Sequence, residues 1–185
     1  PRSTKIRLWL HSIKDIFFDK EKNEIYASIT KDLTGDGCIG MAIYKTKLKD
    51  LNFKDSRINE NLFFEEFFQT DMCNRNFTGW RTGGRIKKIK DNLIFTIGDF
   101  MLDNPHPDAI IPKNKENIMG HVVSISPDGE SRIISTGHRN PQGLEIVNDQ
   151  IFITEHGPRG GDEINLIEKG KNFGWPKYVY GWAYQ

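Results

Sequence analysis

An echo inside the chain constrains its fold more than any other feature of the sequence. Residues 86–96, reading IKKIKDNLIFT, align with residues 144–154, reading LEIVNDQIFIT, at a shift of 58 residues. A weaker copy, from Ile16 through Glu24, Ile25, Tyr26, Ala27 and Ser28, precedes the first by 68 residues, counted from Ser28 to Thr96. Each copy is a pair of short apolar runs around a tight-turn composition, such as Lys90-Asp91-Asn92 or Asn148-Asp149-Gln150, which is the pattern of a β-hairpin. Between the copies, further β-branched and aromatic runs recur, bounded by turns such as Pro127-Asp128-Gly129. The predicted strands are 15–19, 24–30, 41–48, 84–89, 92–98, 120–126, 131–136, 143–147, 150–155 and 163–167. A repeat of about 60 residues holding several strands is what one blade of a β-propeller requires. Three copies make about three blades, whereas a closed propeller has at least about four. Residues 1–185 are therefore expected to form one partial propeller domain, its remaining blades supplied by sequence outside this chain, because an open arc exposes apolar faces and sheet edges. Stacking as a solenoid is the other architecture that such an echo allows.

The helix template fails almost everywhere. One stretch, 59–69, reads as a helix by length, yet its crowded Phe63, Phe64, Phe67 and Phe68 suit a strand equally. The 26 basic and 25 acidic side chains nearly cancel, which removes the electrostatic footprint needed for nucleic acid or an anionic membrane surface. The one basic run, 85–90, alternates with apolar residues and reads as a strand with a charged, wet face. No apolar stretch approaches the roughly 20 residues of a membrane helix, and no secretory signal is visible at the start. Cys38 and Cys73 lack metal-type spacing and can form at most one bridge. The Asp32-to-Gly37 segment imitates the start of an EF-hand loop, but its twelfth position is Ile43 where a glutamate is needed, so a hairpin turn is expected. Asn76-Phe77-Thr78 matches a glycosylation sequon, a pattern that arises readily by chance.

Chemistry-bearing residues concentrate in 137–176. Gly157-Pro158 followed by Gly160-Gly161 forces a loop whose carbonyls cannot all join a ladder. Such carbonyls, beside Asp162 or Glu163, suit a hard cation such as calcium. Asn140 and Gln142, amides flanking Pro141, can both donate to and accept from a planar polar ligand, and Arg139 can match a carboxylate bidentately. Read without any ligand, the same residues are punctuation between blades. Trp175 and Trp182, with Tyr178, Tyr180 and Tyr184, offer either a shelf for a sugar or packing between blades.

Three stretches in this order, GHRNPQGL at 137–144, EHGPRGGDEINLI at 155–167 and GKNFGWP at 170–176, resemble the soluble PQQ-dependent sugar (glucose/sorbosone) dehydrogenases. Weaker similarity runs upstream through 83–86, 93–99, 41–44 and 24–30. The resemblance implies a six-bladed β-propeller of the quinoprotein glucose dehydrogenase type, of which about three blades are present. It implies calcium-dependent oxidation of an aldose by pyrroloquinoline quinone (PQQ), with an electron acceptor as partner and a periplasmic or secreted location. Carried over by position, Asn140, Gln142 and His156 contact the cofactor. The carbonyls of Gly157 and Pro158 hold its Ca2+, and Glu163 with the Phe173 carbonyl serves a second, structural calcium.

The departures matter as much as the matches. Where the family places its proton-abstracting histidine, this chain has Arg81, and a guanidinium stays protonated near neutral pH and cannot act as a base. His156 is the substitute base if the substrate sits differently. No Asp or Glu follows Glu168, so the second calcium lacks a downstream carboxylate within these residues. A non-catalytic propeller binding a carbohydrate or a protein is accordingly the alternative to the oxidoreductase, and a calcium-dependent lactonase is a third reading.

Overall fold

A computed structural model describes residues 11–48, 64–101, 109–110 and 118–182. The described residues contain no α-helix and form three antiparallel sheets. The first holds β1 (Ile13–Asp19), β2 (Glu24–Asp32), β3 (Ile39–Lys47), β4 (Glu65–Gln69), β5 (Cys73–Asn74) and β8 (Ala109–Ile110). The second holds β6 (Gly83–Ile89), β7 (Asn92–Ile97), β9 (His121–Ile125) and β10 (Ser131–Ser135), and the third β11 (Pro141–Val147), β12 (Gln150–Glu155) and β13 (Glu163–Ile167). All ten predicted strands are present, with ends displaced by at most two residues.

The echo is the recurring first hairpin of each sheet: β1–β2, β6–β7 and β11–β12. Asn23, Lys90, Asn148 and Asp149 take positive φ in the three turns, the left-handed conformation that matches the twist of paired strands and that Asn and Asp tolerate best. The first strands lie side by side, β6 between β1 and β11. No ladder joins them. A hydroxyl on the second strand of each of the first two hairpins reaches the first strand of the next sheet: Ser28 Oγ donates to the Gly84 carbonyl at 2.5 Å, and Thr96 Oγ1 to the Pro141 carbonyl at 3.2 Å. Arg85 adds a second stitch, from Nε to the Gln142 carbonyl at 2.5 Å and from Nη1 to the Lys14 carbonyl at 3.3 Å.

Two cores separate the sheets. Leu93, Phe95 and Ile97 of β7 pack with Tyr26, Met41, Ile43 and Phe68, while Ile94 points the other way, onto Val122, Leu144, Ile151 and Ile153. A strand buried on both faces explains why 93–97 is continuously apolar apart from Thr96. Each such side chain removed from water contributes about 1.5–3 kcal/mol.

The ambiguous stretch resolves in favour of strand: Glu65–Gln69 is β4, paired with β3, because Phe68 is buried between the sheets. The rest of 59–69 lies outside the described residues apart from Phe64. The two-residue β5 and β8 went unpredicted, since so short a pairing has no periodicity. Cys38 and Cys73 are bridged and tie the start of β3 to β5. The EF-hand-like segment is a hairpin loop, with the Asp32 carboxylate accepting from the N–H groups of Thr34, Gly35 and Gly37.

Candidate functional site

All three first hairpins carry a register irregularity near the same end: at Ile13/Asp15, Gly83/Ile86 and Pro141/Gly143. Bulges re-aim side chains and recur beside binding sites. The one in β11 lifts Gln142 off the ladder with β12 and brings it against Asn140, whose Oδ1 accepts from Gln142 Nε2 at 2.8 Å and from the Gly83 N–H at 3.4 Å. Gln142 then lines an open cleft of about 260 Å3 with Thr154, His156, Asp162 and Glu163. Of the three residues expected to touch a cofactor, Gln142 and His156 line the cleft, and Asn140 is hydrogen-bonded to both, through Oδ1 and its backbone carbonyl. The amide groups of Asn140 and Gln142 supply donors and acceptors without charge.

His156 and Asp162 face each other across the cleft's end. His156 Nδ1 lies 3.1 Å from Asp162 Oδ2, and Asp162 Oδ1 accepts from the Gly157 N–H at 3.1 Å. The His156 contact, with the Gly157 N–H and the nearby Arg139 charge, holds the Asp162 carboxyl below the usual carboxylate range. The bend that follows is tight because residue 157 is a glycine: a Cβ there would stand 2.4 Å from the Gly161 carbonyl oxygen.

Behind this bend is a second, much smaller cavity of about 10 Å3, lined by Gly157, Pro158, Glu163 and Phe173 together with Arg139 and Glu155. The four residues expected to hold calcium, assigned from the sequence to two separate ions, thus surround one space. Its size is about that of a single water or ion, and its oxygens are the hard donors that calcium takes. The Gly157 carbonyl is partly engaged, since Arg139 Nη1 donates to it at 2.6 Å and to the His156 carbonyl at 2.8 Å. These two bonds tie the Arg139 side chain to the main chain of the bend. A carbonyl has two lone pairs, so Gly157 retains one for a further ligand. Among the described residues no cluster of three or more His, Cys, Asp or Glu side chains is arranged for a metal, so any cation here would rest mainly on carbonyls.

Arg81 lies outside the cleft. Its Nη1 is 3.1 Å from Asp99 Oδ2, both side chains are largely buried, and the same oxygen accepts from Trp175 Nε1 at 2.8 Å. The Trp175 ring has the Arg81 guanidinium 5.7 Å and the Arg139 guanidinium 5.3 Å from its centre, within the range of cation–π attraction. Trp175 is therefore a packing element of the site. Its neighbours Tyr178, Tyr180 and Trp182 are exposed. Asp99, Glu155 and His138 were missed as site residues; all three are buried polar groups, and the sequence signal was that each lies inside one of the similar stretches, Glu155 at the end of β12 and Asp99 two residues after β7.

A family model described as Glucose / Sorbosone dehydrogenase matches residues 13–185. The chain belongs to that family. Among the curated proteins, the chain is similar to aldose sugar dehydrogenase YliI of Escherichia coli (strain K12), 35% identical over an alignment of 124 residues that covers 58% of this chain and 32% of that protein. Quinoprotein glucose dehydrogenase B of Acinetobacter calcoaceticus is 46% identical over 70 residues, 37% of this chain and 13% of that protein. Among solved structures, the soluble aldose sugar dehydrogenase of Escherichia coli in its apo-form superposes with a TM-score of 0.72 at 26% identity, covering 95% of this chain and 52% of that one. The PQQ-bound aldose sugar dehydrogenase of Streptomyces coelicolor, at 22% identity, shares the fold with a TM-score of 0.67 over 91% of this chain and 49% of that one. The chain thus spans about half the length of these solved relatives, the proportion expected of three blades in a six-bladed propeller, and about a third or less of the two curated ones.

Proposed function

We propose that the protein to which this chain belongs oxidises aldose-type sugars with PQQ and calcium, passing the electrons on to a separate acceptor. The observation that carries this reading is that Gln142 and His156 line one cleft beside the Gly157-Pro158 bend, with Asn140 hydrogen-bonded to both. When bound, PQQ supplies the hydride acceptor and a Lewis-acidic calcium polarises it. The chain's own part is placement. Asn140 Nδ2 and Gln142 Oε1, which make no hydrogen bond among the described residues, face a planar polar ligand while their partner atoms bond each other. Gly157, Pro158, Glu163 and Phe173, which line the one small cavity, are the residues that would hold calcium. Sequence beyond these residues supplies the remaining blades and the cleft's other wall: Thr154, the third hydroxyl of the echo, is exposed where Ser28 and Thr96 are each sealed against a next sheet. The Cys38–Cys73 disulfide supports a periplasmic or secreted location, because such bridges persist in oxidising compartments. No helix among the described residues is long and apolar enough to cross a membrane.

The test is a titration of the full-length, calcium-loaded protein with PQQ. A saturable spectral change and sugar-dependent dye reduction are expected; the absence of both excludes the oxidoreductase. One observation favours the alternative, a propeller that binds carbohydrate or protein without turnover: Arg81, at the position of the expected base, is bound to Asp99. Replacing it, Arg81→His, in the full-length protein discriminates. Gained turnover marks a dehydrogenase that has lost its base, and unchanged absence of turnover marks a binding module.

A further inference from the structure

Beneath the cleft lies a polar cluster that the proposed chemistry does not use. His138 is fully buried, with Nε2 2.8 Å from Ser135 Oγ and Nδ1 2.9 Å from Glu155 Oε2. The other carboxylate oxygen, Glu155 Oε1, accepts from the Arg139 backbone N–H. The order hydroxyl, imidazole, carboxylate is that of a nucleophilic triad, but Ser135 has no solvent exposure and neither Ser135 nor His138 lines either cavity. A substrate carbonyl cannot reach it.

Each member instead fixes main chain leading to the cleft. Glu155 ends β12 opposite Pro141 and holds Arg139, whose carbonyl accepts from the Asp99 N–H at 2.9 Å and whose guanidinium packs on Trp175. The next residue, Asn140, accepts from the His156 N–H at 3.1 Å. The His138 ring stacks on Phe173 at 4.8 Å, and the His138 backbone N–H donates to the Gly120 carbonyl at 3.0 Å. We infer that Ser135, His138 and Glu155 form a buried positioning relay, meeting the cavities only at Glu155, that sets Arg139 and Asn140 at the cleft, and that they are not a hydrolytic triad. This rests on the cofactor-binding reading of Asn140.

The chemistry dictates the relay's polarity. An ionised carboxylate only accepts, so His138 carries its proton on Nδ1 and takes the Ser135 hydroxyl proton's hydrogen bond at Nε2. Glu155→Gln offers one acceptor and one donor. With the acceptor taken by the Arg139 N–H, the amide NH2 faces His138 Nδ1, and the imidazole proton must move to Nε2.

The experiment uses the full-length protein labelled with 15N on histidine and tryptophan. Free of cofactor, wild type is expected to show His138 as the neutral Nδ1–H tautomer and Glu155→Gln as the Nε2–H tautomer, with the Trp175 indole resonance shifted as Arg139 moves. PQQ affinity, followed by tryptophan quenching, should fall about 10-fold or more in His138→Ala, as for other groups that orient a ligand-binding residue, and His138→Asn, which keeps a donor toward Glu155, should recover most of the loss. An Nε2–H tautomer in wild type overturns the relay. So does a Trp175 resonance and quinone affinity unchanged in both Glu155→Gln and His138→Ala, or labelling of Ser135 by a fluorophosphonate. Should wild type bind no PQQ, the cofactor reading falls, and the tautomer and the Trp175 resonance alone decide the relay.

Discussion

Arg81 shows how a residue's chemistry can be legible in the sequence while its contacts are not. Its chemistry excludes proton abstraction, as the sequence alone implies, but only the coordinates reveal that its guanidinium is spent on Asp99 and Trp175. Replacing it, Arg81→Met, removes the charge partner of a buried carboxylate that keeps the Trp175 and Met101 N–H groups. The expected loss is about 2–3 kcal/mol, measured as the urea midpoint of the full-length protein; a loss near zero would show that the pair contributes nothing. Asp19 makes a second case. Burial works upward on its carboxyl, yet the Lys88 ammonium at 2.8 Å and the N–H groups of Lys22 and Glu21 outweigh it and hold the group below its ordinary value. A depressed folded value means stability that is present above the unfolded value of about 3.9 and is lost as pH falls through the folded one. Asp19→Asn should therefore flatten the fall of stability with pH below about 4, seen by comparing urea midpoints across that range.

At the scale of elements, the hairpins were readable because turn and strand signals agreed within each copy: Asn148-Asp149 between two alternating runs admits little else. Strands whose pairing is decided elsewhere were not. β4 looked half-helical until Phe68 found its place in the core, and β5 exists because the chain is tied there to β3 through Cys38 and Cys73. That bridge closes a loop with a sequence separation of 35. The chain-entropy account then assigns it about 3–4 kcal/mol. Reduction under native conditions should lower the unfolding midpoint accordingly, and paired Cys38→Ser and Cys73→Ser substitutions should show the same deficit without reductant. Equal midpoints in all forms would mean that sheet pairing alone holds β5.

Across the whole molecule, the middle sheet is covered on both faces while the outer two are each covered on one. Ile13 and Ile16 on β1 are 65% and 63% exposed, and Ile164 on β13 is 78% exposed. Water-facing isoleucines at both flanks of an arc form the kind of apolar surface that marks an interaction face. Residues 1–185 expressed alone should bind a hydrophobic dye and self-associate on a sizing column, whereas the full-length protein should be monodisperse and dye-silent. A monodisperse, dye-silent 1–185 would remove the case for further blades against these flanks.

Strand identity, the repeat and the polar stretches were determined by the sequence alone, because a hairpin and a Gly-Pro bend depend on neighbours a few residues apart. What only the tertiary structure decided is which distant groups meet: Asn140 with Gly83, Arg81 with Asp99 and Trp175, and Ser135 with His138 and Glu155. Such partners come from different hairpins, and their pairing follows from how the sheets pack. No local pattern of residues carries that information.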